Sequence, residues 1–273
     1  MTDTKTALVT GSTDGLGRAV ARSLASQGFR VWVHGRDTVR GEALVAEIRA
    51  AGGTARFQRA DFTSLAEVRA LAETVAMQAA RLDVLVNNAG IGTASRSAGR
   101  ELSADGLELR FAVNYLAGFL LTRLLLPLLK RSAPARIVNV ASVGQHPLDF
   151  DNLMLTSAYS GVRAYAQSKL AQVMFTFDLA EELRTTGVTV NCLHPATYMD
   201  TTMVRAAGVT PVSPVARGAA AVLRLTGDPG LAHTSGEYFD GIRPARANAQ
   251  AYDSAARRRL TELSLRLAGG APT

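Results

Sequence analysis

The stretch 6-TALVTGSTDGLG-17 decides how the rest of the chain is read. A short apolar run, 6-TALVT-10, passes into glycines at 11, 15 and 17, and a helix-like segment starts at Leu16. Strand, glycine turn and helix are the context in which a glycine pattern carries information. Glycine lets the backbone approach a pyrophosphate closely, and the helix N-terminus that follows favours the anion. On that reading Gly11, Thr13, Asp14, Gly15, Leu16 and Gly17 cradle a nucleotide. The other reading is a Gly-rich turn that binds nothing, and the segments downstream must decide.

Downstream, short β-branched runs alternate with longer amphipathic ones. Strands are expected at 6–10, 30–35, 55–61, 82–88, 136–142, 188–193 and 237–241. Helices are expected at 16–27, 39–51, 64–79, 106–131, 164–184 and 215–225, with a helix-like tail at 255–267. Ser64, with Glu67 three residues on, reads as a capping box, and Gly28, Gly52 and Gly187 fall where helices should stop. This alternation predicts an α/β, doubly wound Rossmann fold: a mostly parallel seven-stranded sheet with helices on both faces. The strands are apolar nearly throughout, as strands buried on both faces should be. No linker or repeat interrupts the chain, so 1–273 reads as one domain.

Composition narrows the partners. Of 273 residues, 47% are hydrophobic and 19% charged, which fits a soluble globular chain. The single cysteine, Cys192, excludes an internal disulfide and reads as a buried small hydrophobe, in keeping with a cytoplasmic setting. The net charge of +7 is scattered; its densest cluster, Arg257 to Arg259, has no aromatic interleaving or recognition motif, so no nucleic-acid partner is expected. The polar lead-in 1–6 does not resemble a signal peptide. The apolar run 111–129 is interrupted by Asn114, Arg123 and Pro127, so a buried helix rather than a membrane span is expected. His34, His146, His194 and His233 lack metal-ligand spacing, and no metal is expected.

In such sheets ligands bind beyond the carboxyl ends of the strands. The second strand ends at 34-HGRD-37, where Gly35 leaves space and Arg36 supplies a planar fork suited to a 2′-phosphate. Asp37 is either a helix cap or a competing ribose ligand; on balance NADP(H) is expected over NAD(H). The third strand ends at Asp61-Phe62, whose carboxylate suits an adenine amino group. The fourth ends at 87-NNAG-90, where the small residues around Asn88, Ala89 and Gly90 let a ribose pass close. Asn114 is a mediocre helix former that must bond something if buried. Ser142 ends the fifth strand, and Tyr165 and Lys169, four apart, share one face of the next helix.

Taken in order, 10-TGSTDGLG-17, 87-NNAG-90, Asn114, Ser142, 165-YAQSK-169 and 194-HPAT-197 resemble the classical short-chain dehydrogenase/reductase family over nearly the whole chain. The segments 146-HPLDFDNL-153, 165-YAQSKLAQ-172 and 236-GEYFDG-241 and the tail are similar to its retinol-dehydrogenase-like branch. The resemblance implies that Tyr165 exchanges a proton with a carbonyl or alcohol oxygen as hydride moves to or from the nicotinamide. It implies that Lys169 lowers the phenol's ordinary pKa of about 10 and bonds the nicotinamide ribose. Ser142 would hold the substrate oxygen, Asn114 would anchor a water linking Lys169 to solvent, and Pro195 and Thr197 would line the nicotinamide. Two departures stand out. Pro195-Ala196 replaces the family's Pro-Gly, and position 200 is Asp where the family has Thr, with Thr201 and Thr202 following. Tyr159 has Arg163, not lysine, four residues on, and is assigned to a substrate loop or to packing.

Loops 143–160 and 197–213 should wall the substrate. Leu148, Phe150, Leu153, Met154, Tyr198, Met199 and Met203 suggest an apolar lining, unless they only pin the loops to the core. The expected activity is NADP(H)-dependent interconversion of a carbonyl and an alcohol on an apolar small molecule. The alternatives are redox-neutral isomerisation or cyclisation with the same Tyr and Lys, or a non-catalytic NADP-binding sensor. The resemblance also implies a homo-oligomer, a dimer or tetramer, although this branch includes monomers.

Overall fold

Residues 4–94 and 99–270 are described by the computed structural model, so part of the polar lead-in, 1–3, lies outside them. The strands are β1 (Thr6–Val9), β2 (Arg30–Gly35), β3 (Thr54–Arg59), β4 (Val84–Asn87), β5 (Ala135–Val140), β6 (Val188–His194), β7 (Tyr238–Asp240) and β8 (Arg243–Pro244). They form one sheet in the order β3-β2-β1-β4-β5-β6-β7-β8. Since β1 pairs in parallel with both β2 and β4, the strand order reverses beside it. That is where the crevice of a doubly wound sheet opens.

Side chains alternate across the strands, and each face carries its own core. Ala7 and Val9 of β1, with Val84 and Val86 of β4, pack on α1 (Gly15–Ser26), α2 (Thr38–Ala50) and α7 (Val215–Gly227). Leu8 and Leu85 point the other way, toward α3 (Leu65–Gln78), α4 (Ala117–Arg131), α5 (Gly161–Glu182) and α8 (Ser254–Leu267). Full burial of a Leu or Val contributes about 1.5–3 kcal/mol, so these two layers dominate folding. On the second face, Asn87, Asn139 and Cys192 lie in register across β4, β5 and β6. Asn87 donates to Thr122 of α4 (2.9 Å) and to Asn139 (2.8 Å), and Asn139 donates to Thr176 of α5 (2.8 Å). This polar ladder ties both helices to the strands whose ends matter.

Four differences from expectation have physical causes. The sheet has an eighth strand: Gly241, at φ +57°, turns the chain so that the two-residue β8 runs antiparallel to β7. Its Pro244 and Arg243 suit an edge that must not recruit another strand. The helix expected over 106–131 begins instead as a π-helical turn, Phe111–Leu116, that passes into α4. Ser64 caps α3, accepting from the Glu67 amide, but Glu67 reaches the Asp61 amide (2.8 Å) instead of closing the capping box. A short helix, α6 (Thr202–Ala206), has too few apolar residues to show in the pattern. Gly28, Gly52 and Gly187 all take positive φ at helix ends.

Candidate active site

The glycine turn after β1 leaves no room for side chains. A Cβ on Gly17 would lie 2.3 Å from the Gly11 carbonyl oxygen, and one on Gly11 would lie 2.7 Å from the Ala89 Cα. Gly11 and Gly15 have positive φ, a conformation open chiefly to glycine. Asp14 caps α1, accepting from the Gly15 amide (2.7 Å) and from the Thr202 hydroxyl (2.6 Å). Thr13 lies against Gly35, and Leu16 is buried beneath the turn. His34 holds the turn from below. Its Nδ1 accepts from the Gly11 amide (3.1 Å), its Nε2 faces the Ala60 carbonyl (3.2 Å), and its ring stacks on Phe62 (4.4 Å). That bonding requires a neutral ring, and burial pushes the His34 pKa down to about 4.

Beyond β2, Arg36 is exposed and makes no ion pair among the described residues. Asp37 caps α2, accepting from the Arg40 amide (3.0 Å), so its carboxylate is engaged in the cap role that the sequence left open. Asp61 is half-buried and receives the Thr63 amide (3.0 Å). A nicotinamide dinucleotide fits this cradle: the crowded glycines keep the turn open to the backbone, and Arg36 is free for a phosphate.

Past β4, the Asn88 side chain donates to the carbonyls of Thr10 (2.9 Å) and Gly11 (3.1 Å), while the Asn88 and Ala89 amides donate to the Thr10 hydroxyl. Gly90 sits against Asn114. Asn114, 2% exposed, lies within the π turn; such turns recur at functional sites. Its Oδ1 accepts from the Ile91 amide (2.7 Å), and its Nδ2 donates to the Ile91 carbonyl (3.1 Å) and the Ser168 hydroxyl (2.9 Å). Both side-chain N–H groups are therefore committed. A water held here would use the second Oδ1 lone pair or the main chain.

Ser142 follows β5, and its Oγ accepts from the Gly144 amide (3.1 Å); both it and the Tyr165 ring lie beside Gly144. Gln145 and Tyr238 both donate to the Ser142 carbonyl, which fixes the turn. One helical turn beyond Tyr165, the Lys169 Nζ stands 5.7 Å from the phenol ring centroid and donates to the Val140 carbonyl and the Gln172 Oε1, both at 2.8 Å. Burial lowers the Lys169 pKa to about 7. Burial also raises the Tyr165 pKa, the neighbouring Ser142 side chain working the other way. The expected lowering by Lys169 is therefore not seen. Desolvation dominates at the phenol, and the Lys169 ammonium donates to Val140 and Gln172 instead.

The loops expected to wall a substrate divide. Leu148 and Leu153 are buried in the core, Met154 packs against that core, and Phe150 does the same beneath the Arg259 guanidinium (4.8 Å). Met199 packs toward α7, where a Cβ on Gly218 would meet its sulfur at 2.3 Å. Tyr198, 53% exposed and at φ +40°, and Met203, resting on Gly92, remain on the open side. Pro195 is buried, and Thr197 pairs with His194 Nε2 (3.1 Å). Asp200 pairs with Arg205 (2.6 Å), and it is Thr202 that reaches the glycine turn through Asp14. Sequence reasoning missed Gln172, although its place three residues after Lys169 on one helix face was a usable signal. It also missed the loop-holding role of His34, which depends on a contact 23 residues away in sequence.

A family model described as short chain dehydrogenase matches residues 5–210. Human retinol dehydrogenase 12 is 36% identical over 97% of this chain and 86% of its own length. A crystal structure of an uncharacterized protein from Mycobacterium paratuberculosis superposes with a TM-score of 0.80 at 28% identity, covering 98% of this chain and 95% of the other. A variant of actinorhodin polyketide ketoreductase with NADPH gives a TM-score of 0.71 at 29% identity, covering 89% and 98%. The likeness to retinol dehydrogenases, named for an apolar alcohol, corrects the expectation that no membrane span is involved. Among the described residues Phe111–Arg131 is long and apolar enough to cross a membrane, but 83% of its most apolar window is buried within the fold, as in a core helix. The same likeness stands against the cytoplasmic setting expected from the sequence.

Proposed function

The chain belongs to the short-chain dehydrogenase family, and from that premise we propose that it is an NADP(H)-dependent oxidoreductase converting a carbonyl and an alcohol of an apolar small molecule into one another. The observation that carries this reading is the convergence of Ser142, Tyr165 and Lys169 beyond the end of β5, with the serine hydroxyl and the phenol ring side by side against Gly144 and the lysine 5.7 Å from that ring. The residues from 1 to 273 act as one domain in this reading.

Gly11, Thr13, Asp14, Gly15, Leu16 and Gly17 would hold the pyrophosphate side of the cofactor, Arg36 a 2′-phosphate, and Asp61 and Phe62 the adenine end. Asn88, Ala89, Gly90, Pro195 and Thr197 would flank the nicotinamide ribose and ring. When bound, the cofactor supplies or accepts the hydride. Ser142 Oγ orients the substrate oxygen beside the Tyr165 Oη, which donates its proton to that oxygen during reduction and takes it back during oxidation. Lys169, released in part from Val140 and Gln172, stabilises the phenolate left behind. Asn114 keeps the 91 segment in place and supports reprotonation through solvent. Tyr198 and Met203 contribute an apolar wall on the open side.

The preference for NADP(H) draws support from the unpaired Arg36, from the engagement of Asp37 as a cap, and from the similar ketoreductase with NADPH. Arg36→Ala is expected to weaken NADPH binding about tenfold to a hundredfold, the worth of a charge-assisted hydrogen bond, and NADH binding hardly at all. Fluorescence titration of both cofactors reads this; equal losses for the two would remove the phosphate role from Arg36.

A further inference from the structure

We infer that Arg110 and Tyr159 form a positioning latch that fixes the substrate-side walls of the site and thereby sets affinity for the carbonyl substrate. This rests on the oxidoreductase reading above. Arg110 is completely buried just before the π turn. Its Nε donates to the Gly92 carbonyl (2.9 Å), its Nη2 to those of Thr93 (3.2 Å) and Ala94 (3.0 Å), and its Nη1 to the Tyr159 hydroxyl (2.7 Å). Glu108, 1% exposed, stands 3.7 Å away as counter-charge and accepts from the Phe111 amide (2.7 Å) and the Tyr159 hydroxyl (3.2 Å). A buried charge lacking such partners would cost several kcal/mol, and here all three guanidinium nitrogens donate, with Glu108 beside them as counter-charge.

The two sides of this node belong to different walls. On one side, Asn114 and Arg110, four residues apart, hold the successive carbonyls of Ile91, Gly92, Thr93 and Ala94. Met203 of the 197–213 loop rests on Gly92, so that loop is referenced to the same node. On the other side, Tyr159 ends a strained loop. Leu155 (φ +48°) and Ala158 (φ +51°) are non-glycine residues in the left-handed region, a conformation that costs about 1–2 kcal/mol each. Such strain persists only where the surroundings over-determine the backbone. Here Asn152 accepts from the Thr156 amide (2.8 Å) and donates to the Ser157 carbonyl (3.1 Å), and Arg100 donates to the Met154 carbonyl (2.7 Å). The Tyr159 hydroxyl closes the loop against Arg110, six residues before Tyr165 on the same run of chain. Burial and the neighbouring Glu108 keep the Tyr159 phenol protonated, as its donation to Glu108 requires.

Tyr159→Phe keeps the ring and removes only the hydroxyl. KM for a carbonyl substrate should rise about tenfold, the worth of one hydrogen bond, with kcat and NADPH affinity close to wild type. Hydrogen exchange of the 149–160 amides should quicken. Arg110→Lys keeps the charge beside Glu108 but cannot span the same acceptors; it should act in the same direction, and adding Tyr159→Phe to it should have no further effect. Unchanged KM and exchange in Tyr159→Phe, or additive effects in the double variant, would overturn the latch. If the wild type reduces no carbonyl compound, the oxidoreductase reading falls while exchange still decides the latch: quicker exchange in Tyr159→Phe supports it and unchanged exchange overturns it.

Discussion

Tyr165→Phe should bind NADPH nearly as the wild type does, yet reduce carbonyl substrates about a hundredfold to ten-thousandfold more slowly, the range a positioned acid contributes. The substitution removes one oxygen. The ring keeps its packing beside Gly144, and the glycine turn, Asn88 and Arg36 are untouched. Ser142 keeps the Gly144 amide, so the turn after β5 stays in place. The effect should fall on kcat rather than on cofactor affinity, because the phenol proton is needed only as charge develops on the substrate oxygen. Stopped-flow reduction together with NADPH titration separates the two. Turnover equal to wild type would remove Tyr165 from the chemistry.

Lys169→Met should also cost at least about a hundredfold in carbonyl reduction, since the phenolate loses its stabilising charge. It makes a second, independent prediction about stability. The Lys169 pKa falls from an ordinary 10.5 to about 7 in the folded protein. Between those values the unfolded chain binds the proton that the folded chain has released, so wild-type stability rises with pH from about 7 to 10, by at most about 1.4 kcal/mol per pH unit. Below pH 7 the lysine is protonated in both states and the slope vanishes. Denaturant unfolding across this range should show the rise in wild type and its loss in Lys169→Met. Parallel pH profiles for the two proteins would mean that Lys169 is not the desolvated charge described above.

Much of this candidate site was legible in the chain because several of its parts sit at the ends of strands, where the period of apolar residues breaks, and one pair shares a helix face. The glycines at 11, 15 and 17, Asn88 and Ser142 could be placed by strand ends, and the Tyr165–Lys169 pair by its helical spacing. What escaped depends on contacts between residues far apart in sequence. His34 supports Gly11 from the neighbouring strand, and Arg110 reaches Tyr159 across 49 positions; neither leaves a periodic trace. The π turn around Asn114 also hid inside a helix-like apolar pattern, because the pattern records which residues are buried and not how tightly the backbone is wound. The substrate wall was the least legible part. Leu148, Phe150 and Met199 are apolar residues in loops, and composition cannot tell a pocket lining from a loop pinned to the core.

Mole-for-mole accounting of NADPH oxidised against alcohol formed, over a panel of apolar aldehydes and ketones, tests the central claim most directly. The account predicts equal amounts of both, with neither formed by Tyr165→Phe on the same timescale. Product appearing without NADPH consumption, or NADPH bound tightly with no carbonyl reduced, would contradict it.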